Sequence, residues 1–241
     1  MKAIRGLVAT VALAVSASAG AATITVGGWA VGSGDLIAVS GTYALNTTAA
    51  RFTGNVTAFT GPELSASSFV DSTSQLFAYC YDLGEFLGGN TYTAVFGTNP
   101  PTAFGVTQST LAFLGAVNAY IAGGDAYDWL RASTASLAAA IQIGLWETLY
   151  DNGGAFNLTT GNFRAAGVAA GTQAELNNIL AFLGTSNALN SALVMTLHTT
   201  GQNAQDVITG YRPPLRIPEP GSLALLGLAA TAAGVMRRRN A

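Results

Sequence analysis

The chain has 241 residues, of which half are hydrophobic and only 9% are charged, against about 25% charged residues in an ordinary soluble domain. The formal net charge of −2 argues against a nucleic-acid-binding protein, which would present a basic face. A single His and a single Cys exclude a zinc site built from these residues, since such a site needs three or four of them. We expect no metal and no other cofactor.

Residues 1–22 are typical of a secretory signal peptide. Two basic residues precede a short apolar segment at 7–15, and positions 17–19 and 19–21 both have the A-x-A pattern of a cleavage site. The apolar segment is too short to span a membrane as a retained anchor. We therefore expect an exported protein whose α+β domain occupies residues 23–211.

The first part of this domain is predicted to be β-rich. Segments rich in Thr, Val, Phe and Tyr alternate with Gly, Pro, Asn and Ser, which favours short antiparallel strands. The predicted strands are 23–31, 36–45, 51–59, 75–82 and 91–96.

Residues 107–187 change to helical periodicity. Apolar residues recur every three or four positions, and glycine pairs end the first two predicted helices. Thr172 and Glu175 have the spacing of a capping box at the start of the third. Strand character returns at 192–198 and 207–211. The order predicts an α+β fold: an antiparallel β-rich part, sandwich or barrel-like, with an inserted helical part and returning C-terminal strands.

The end of the chain has a three-part pattern. A Pro-rich linker, 212–220, precedes a C-terminal segment, 221–241, whose apolar helix at 222–236 would be about 22 Å long. That length is marginal for a bilayer core of about 30 Å, and an arginine cluster would hold its end in the cytoplasm. The residues that define the pattern are Pro218, Glu219, Pro220, Arg237, Arg238 and Arg239.

This tail resembles the PEP-CTERM sorting signal. The resemblance implies export, transient anchoring in the inner membrane, recognition by an exosortase, and release to the cell surface or extracellular matrix. The same kind of tail is also called an ice-binding-protein C-terminal region, but the chain has no regular Thr-x-Thr array that would suit ice.

Three further segments carry residues with possible chemistry. Cys80 is the only thiol and follows an aromatic residue. Gln142 and Trp146 are four residues apart, so they share a face of the second helix, and Glu147 follows them. Gln205 opens the last strand. Taken singly, each position is also compatible with a packing role.

Together these positions resemble the thioester domain of bacterial surface adhesins. That family has an aromatic-Cys motif, a helical TQxA-Φ-W motif and a late ΦQxxΦΦ motif, where Φ is apolar. Ile141 and Gly144 depart from the second motif, and Thr209 departs from the third. The resemblance implies that the Cys80 thiolate attacks a glutamine side chain and expels ammonia, leaving a thioester that an amine or hydroxyl on another surface opens.

The resemblance assigns Gln205 as the acyl partner and Gln142 as the residue that orients the bond, while the swapped assignment stays open. Trp146 and Glu147 are then supporting residues. The sequence has no Gly-x-Ser-x-Gly hydrolase motif, and a pair of Cys80 with His198 is a weaker enzymatic hypothesis. A glycosidase, which would need two facing carboxylates, stays open. We expect no enzyme and no catalytic residues, but a covalent adhesin. The alternative is a non-covalent structural or carbohydrate-binding component of the extracellular matrix, with polysaccharide as its partner.

Overall fold

The computed structural model describes residues 20–61, 64–84, 90–96, 106–152, 155–199 and 205–213. The predicted signal peptide up to residue 19, most of the Pro-rich linker with its PEP motif, and the C-terminal helix with its arginine cluster lie outside these residues. The α+β assignment is confirmed for the described part of the chain.

Nine strands are present in the described residues. They are β1 (Gly20–Trp29), β2 (Asp35–Gly41), β3 (Leu45–Ala49), β4 (Arg51–Thr60), β5 (Leu76–Cys80), β6 (Asn90–Phe96), β7 (Phe163–Ala166), β8 (Val194–Thr199) and β9 (Val207–Gly210).

Six of these strands curl into an antiparallel barrel in the order β1-β4-β5-β9-β8-β6, and the ring closes through the pairing of β1 with β6. Neighbours along the chain are therefore not always neighbours in the sheet, because β9 returns from the end of the domain to lie between β5 and β8. This return brings the late glutamine motif beside the cysteine strand.

The other three strands form a small sheet in the order β3-β2-β7. β3 and β7 were not predicted from the sequence. β3 is short and mostly polar, with a turn separating it from β2, and the prediction of one long strand at 36–45 merged part of the two. β7 has only four residues, Phe163–Ala166, and pairs with β2 far away in sequence.

Three α-helices follow the predicted order: α1 (Gln108–Ile121), α2 (Ala135–Tyr150) and α3 (Ala170–Leu180). The Thr107 and Thr134 side chains cap α1 and α2 by accepting a hydrogen bond from a backbone N–H of the first turn. α2 packs against α1, α3 and strands of both sheets. It is the central element of the core, which explains why it is apolar on nearly every side.

The capping box predicted for α3 is wrong. The helix begins earlier, with Ala169 as its N-cap, so Thr172 lies inside it and is fully buried. The Asp35 carboxylate accepts a hydrogen bond from the Ala169 N–H at 3.1 Å. A long-range carboxylate therefore supports this helix start, and Glu175 accepts instead from the Tyr120 hydroxyl.

Candidate functional site

Cys80 is the last residue of β5, between β4 and β9. It pairs with Val207 of β9, and the next N–H, that of Tyr81, donates to the Asp206 carbonyl at 2.8 Å. Successive residues of an antiparallel strand direct their backbone groups to opposite sides. The backbone of Cys80 consequently faces β4, whose pairing with β5 ends at Arg51 opposite Tyr79.

Gln142 takes the place of the missing β4 partner. Its side chain is fully buried on α2. The Cys80 N–H donates to Gln142 Oε1 at 2.8 Å, and Gln142 Nε2 donates to the Cys80 carbonyl at 2.7 Å. The side-chain amide thus makes the same pair of hydrogen bonds that a backbone peptide group of a neighbouring strand would make. It satisfies both the buried N–H and the buried carbonyl of Cys80. This contact fixes the Cys80 backbone to the helical layer.

Gln205 lies just before β9 and is 6% exposed. The β5–β9 register places it opposite Asp82, and Gln205 Nε2 donates to the Asp82 carbonyl. Cys80 and Gln205 are therefore diagonal neighbours on the same face of the sheet, a separation that a long side chain spans. Both side chains line one cavity of about 510 Å³.

The walls of this cavity are uncharged. Its mouth contains Trp29, which is 41% exposed, and Leu36, which is 71% exposed. The remaining lining residues are Leu45, Asn46, Thr47, Thr48, Leu83 and Gly84. The strand β3, which the sequence did not predict, supplies four of these residues, so its Asn and Thr side chains are the part of the site that the sequence analysis missed. The two consecutive Thr residues, a type enriched in strands, were the available signal.

Burial raises the pKa of the Cys80 thiol, and the nearby charge of Asp82 raises the pKa further. An unreacted Cys80 is therefore a neutral thiol at physiological pH, protected from solvent. A thioester is also neutral, so forming it in this place avoids burying a thiolate in the final state.

His198 does not join Cys80. Its Nδ1 lies 2.7 Å from Asp206 Oδ2, and both residues are buried. Val207 pairs with both Cys80 and Leu197, so these three side chains lie on one face of the sheet. His198 follows Leu197 in β8 and therefore points to the opposite face. The structure thus places the histidine of the hydrolase hypothesis away from the thiol, in a buried hydrogen bond with Asp206 that the sequence did not predict.

Trp146 and Glu147 lie apart from the Cys80 cavity. The Trp146 ring is buried and packs against Phe163 of β7 at a centroid distance of 6.2 Å. Glu147 is 3% exposed, and its Oε1 accepts a hydrogen bond from the Asn157 N–H at 2.8 Å. Glu147 lines a second cavity between the helices. Of the predicted site residues in the described chain, Cys80, Gln142 and Gln205 come together.

No helix within the described residues has both the length and the apolar content to cross a membrane. The predicted anchor lies beyond those residues.

Comparison with known proteins gives one match. Residues 216–240 match the PEP-CTERM protein-sorting motif. No curated protein and no solved structure matches the chain, and no comparison supports the resemblance of its core to a thioester domain. The sorting motif indicates an exported protein that an exosortase recognises and directs to the cell surface or the extracellular space.

Proposed function

We propose that this exported protein is a covalent adhesin whose core forms an internal thioester between Cys80 and Gln205. The observation that carries the proposal is their common cavity: the two side chains lie on one face of adjacent strands and line the same pocket. The proposal includes no catalytic turnover, since the thioester bond forms once and is opened once by the incoming group.

Formation of the thioester needs no reactant other than the Cys80 and Gln205 side chains. The Cys80 sulfur attacks the side-chain carbonyl carbon of Gln205, the carbon–nitrogen bond breaks, and the amide nitrogen leaves as ammonia with the thiol proton. An incoming amine or hydroxyl then attacks the same carbon, and Cys80 leaves as a thiol that regains a proton. The incoming group enters past Trp29 and Leu36, which are the exposed residues at the cavity mouth.

The hydrogen bonds of Gln142 favour Gln205 as the acyl partner. Both polar atoms of the Gln142 amide are bound to the Cys80 backbone. Converting Gln142 to a thioester would remove the nitrogen that donates to the Cys80 carbonyl, and an unpaired buried carbonyl costs about 1–3 kcal/mol. Gln142 is therefore proposed as the positioning residue, which holds the thiol against Gln205.

Non-covalent carbohydrate binding is the second candidate function. It is favoured by the exposed Trp29 ring beside the Asn46, Thr47 and Thr48 wall. An aromatic face together with a few uncharged polar groups suits a sugar, and the lack of charge in the lining suits a neutral polysaccharide.

The intact mass of the native exported protein, before and after incubation with methylamine, tests the proposal. We expect a mass lower than the mature sequence by one ammonia, which rises by one methylamine after treatment. Cys80→Ala and Gln205→Met are expected to abolish both signals. Gln142→Met has a similar volume and removes both hydrogen bonds, and we expect it to slow thioester formation while peptide mapping still locates the acyl group at residue 205.

An unmodified mass with no methylamine uptake would overturn the thioester. Polysaccharide binding that depends on Trp29, lost in Trp29→Ala, would then support the second candidate. A mass deficit that survives in Gln205→Met but disappears in Gln142→Met would instead establish the swapped assignment.

A further inference from the structure

A second cavity lies between α1, the C-terminal end of α2 and the segment that follows α3, away from Cys80. Its volume is about 320 Å³, which is at the small end of ligand sites. Its apolar wall consists of Ala112 on α1, Phe156 in the loop after α2, and Leu183 beyond the end of α3. Ser109, Thr148, Gly184 and two carboxylates, Glu147 and Asp151, complete the lining.

Glu147 gives this cavity an unsatisfied acceptor. The side chain is 3% exposed, and only its Oε1 is occupied, by the Asn157 N–H. Its Oε2 is buried and has no hydrogen-bond partner in the described part of the protein. Buried polar groups are almost always paired, so an unpartnered carboxylate oxygen on a residue that lines a cavity points to a missing donor.

The surroundings favour a positively charged donor. α2 ends at this cavity, with Asp151 as its C-cap, so the partial negative charge of the helix end adds to the two carboxylates. Both oxygens of Asp151 already accept backbone N–H groups, from Asn162 at 2.7 Å and Phe163 at 2.9 Å. The lining contains no Lys, Arg or His, so the described residues supply no cation to this cavity.

We infer that this cavity binds a small organic ammonium ion, with the ammonium on Glu147 Oε2 and its alkyl body against Ala112, Phe156 and Leu183. The site is separate from the Cys80 cavity, so the inference stands whether or not a thioester forms.

Binding of such a cation is expected to depend on pH. Burial raises the pKa of Glu147 to about 7, and the charge of Asp151 raises the pKa as well. Few other ionisable side chains lie on the surrounding elements. α1 has only Tyr120, and the 155–163 loop has none. Glu175 of α3 accepts a hydrogen bond from the Tyr120 hydroxyl. Ionised Glu147 attracts the ammonium and protonated Glu147 does not, so binding strengthens as pH rises through 7.

Titration of the mature protein with n-butylammonium chloride, followed by NMR chemical shifts, tests the inference. We expect saturable binding at pH 8, with a Kd at least tenfold lower than at pH 5.5, and no binding of n-butanol. Glu147→Gln keeps an acceptor for the Asn157 N–H but removes the charge, so it should lose this binding at pH 8. Glu175→Gln makes the same charge change outside the cavity and should bind as the wild type does.

Ala112→Leu provides a second variant that leaves Glu147 intact. It places a larger side chain in the cavity and should block n-butylammonium. Binding that is equal at the two pH values, or that persists in Glu147→Gln or in folded Ala112→Leu, would overturn the inference. Since the ion binds without a covalent bond, its loss in a denatured mass measurement separates it from methylamine that opens a thioester.

Discussion

Glu147 shows at the residue scale how a single buried carboxyl makes stability depend on pH. Burial raises its pKa from 4.5 to about 7. The folded state therefore holds this proton more tightly than the unfolded chain does. The contribution of Glu147 to stability is fully present below pH 4.5 and is lost as pH rises to 7, by about 2–3 kcal/mol.

The Glu147→Gln variant should remove this dependence. We expect the free energy of unfolding of the variant, relative to wild type, to increase by about 2 kcal/mol between pH 5 and pH 8. Urea unfolding at the two pH values measures the change, and Glu175→Gln controls for the loss of one acidic residue. Identical pH slopes for wild type and Glu147→Gln would show that Glu147 titrates as an ordinary carboxyl.

Individual site residues were only partly predictable from the sequence. The resemblance to the thioester-domain motifs led to the choice of Cys80, Gln142 and Gln205 as candidate residues. The sequence did not predict that Gln142 pairs with the Cys80 backbone, since that contact depends on where β4 ends. The pair of His198 and Asp206 likewise depends on the register of β8 against β9.

At the scale of elements, the packing of α1 on α2 explains one departure from the thioester motif. Gly144 stands where the motif has Ala, and the Phe113 ring of α1 lies against it. A Cβ added at Gly144 would be 1.9 Å from Phe113 Cζ. The close contact between the two helices thus favours glycine at this position.

Gly144→Ala should destabilise the protein although alanine is the better helix former. The propensity gain of about 1 kcal/mol is outweighed by overpacking against a fully buried ring, which costs about 1–3 kcal/mol. We expect a net loss of about 1 kcal/mol or more in urea unfolding. Phe113→Leu added to Gly144→Ala should restore part of the loss, and a stabilised Gly144→Ala single variant would contradict this account of the contact.

The elements that the sequence predicted are those with strong local periodicity. Most barrel strands fall close to their predicted bounds, and α1 and α2 lie within the segment 107–187 that was predicted to be helical. β3 and β7 are short and pair only through β2, as in Val39 with Leu45 and Ala165. Such strands exist because of long-range partners, which local residue patterns do not encode.

For the molecule as a whole, β1 closes the barrel by pairing with both β4 and β6. Of the two predicted signal-peptide cleavage sites, cutting after residue 19 keeps all described residues of β1, Gly20–Trp29, in the mature chain. Cutting after residue 21 removes the pairs of Gly20 with Ala94 and of Ala21 with Thr93. The barrel therefore favours the earlier site.

We expect the exported protein to begin at Gly20, as N-terminal sequencing would show. A recombinant chain that begins at Gly20 should also have a higher Tm than one that begins at Ala22. Export as a chain that begins at Ala22, with no difference in Tm, would mean that the first two residues of β1 are dispensable for closure.

The position of β9 determines how this protein would carry mechanical load as a covalent adhesin. β9 lies between the two points of attachment. The acyl group would be at Gln205, just before the strand, and the chain continues toward the sorting tail after Arg212, just beyond it. Tension between a bound surface and the cell would therefore run through β9 alone. This strand is held between β5 and β8, so its hydrogen bonds would be sheared together. The helices and the remaining strands would lie outside the loaded path.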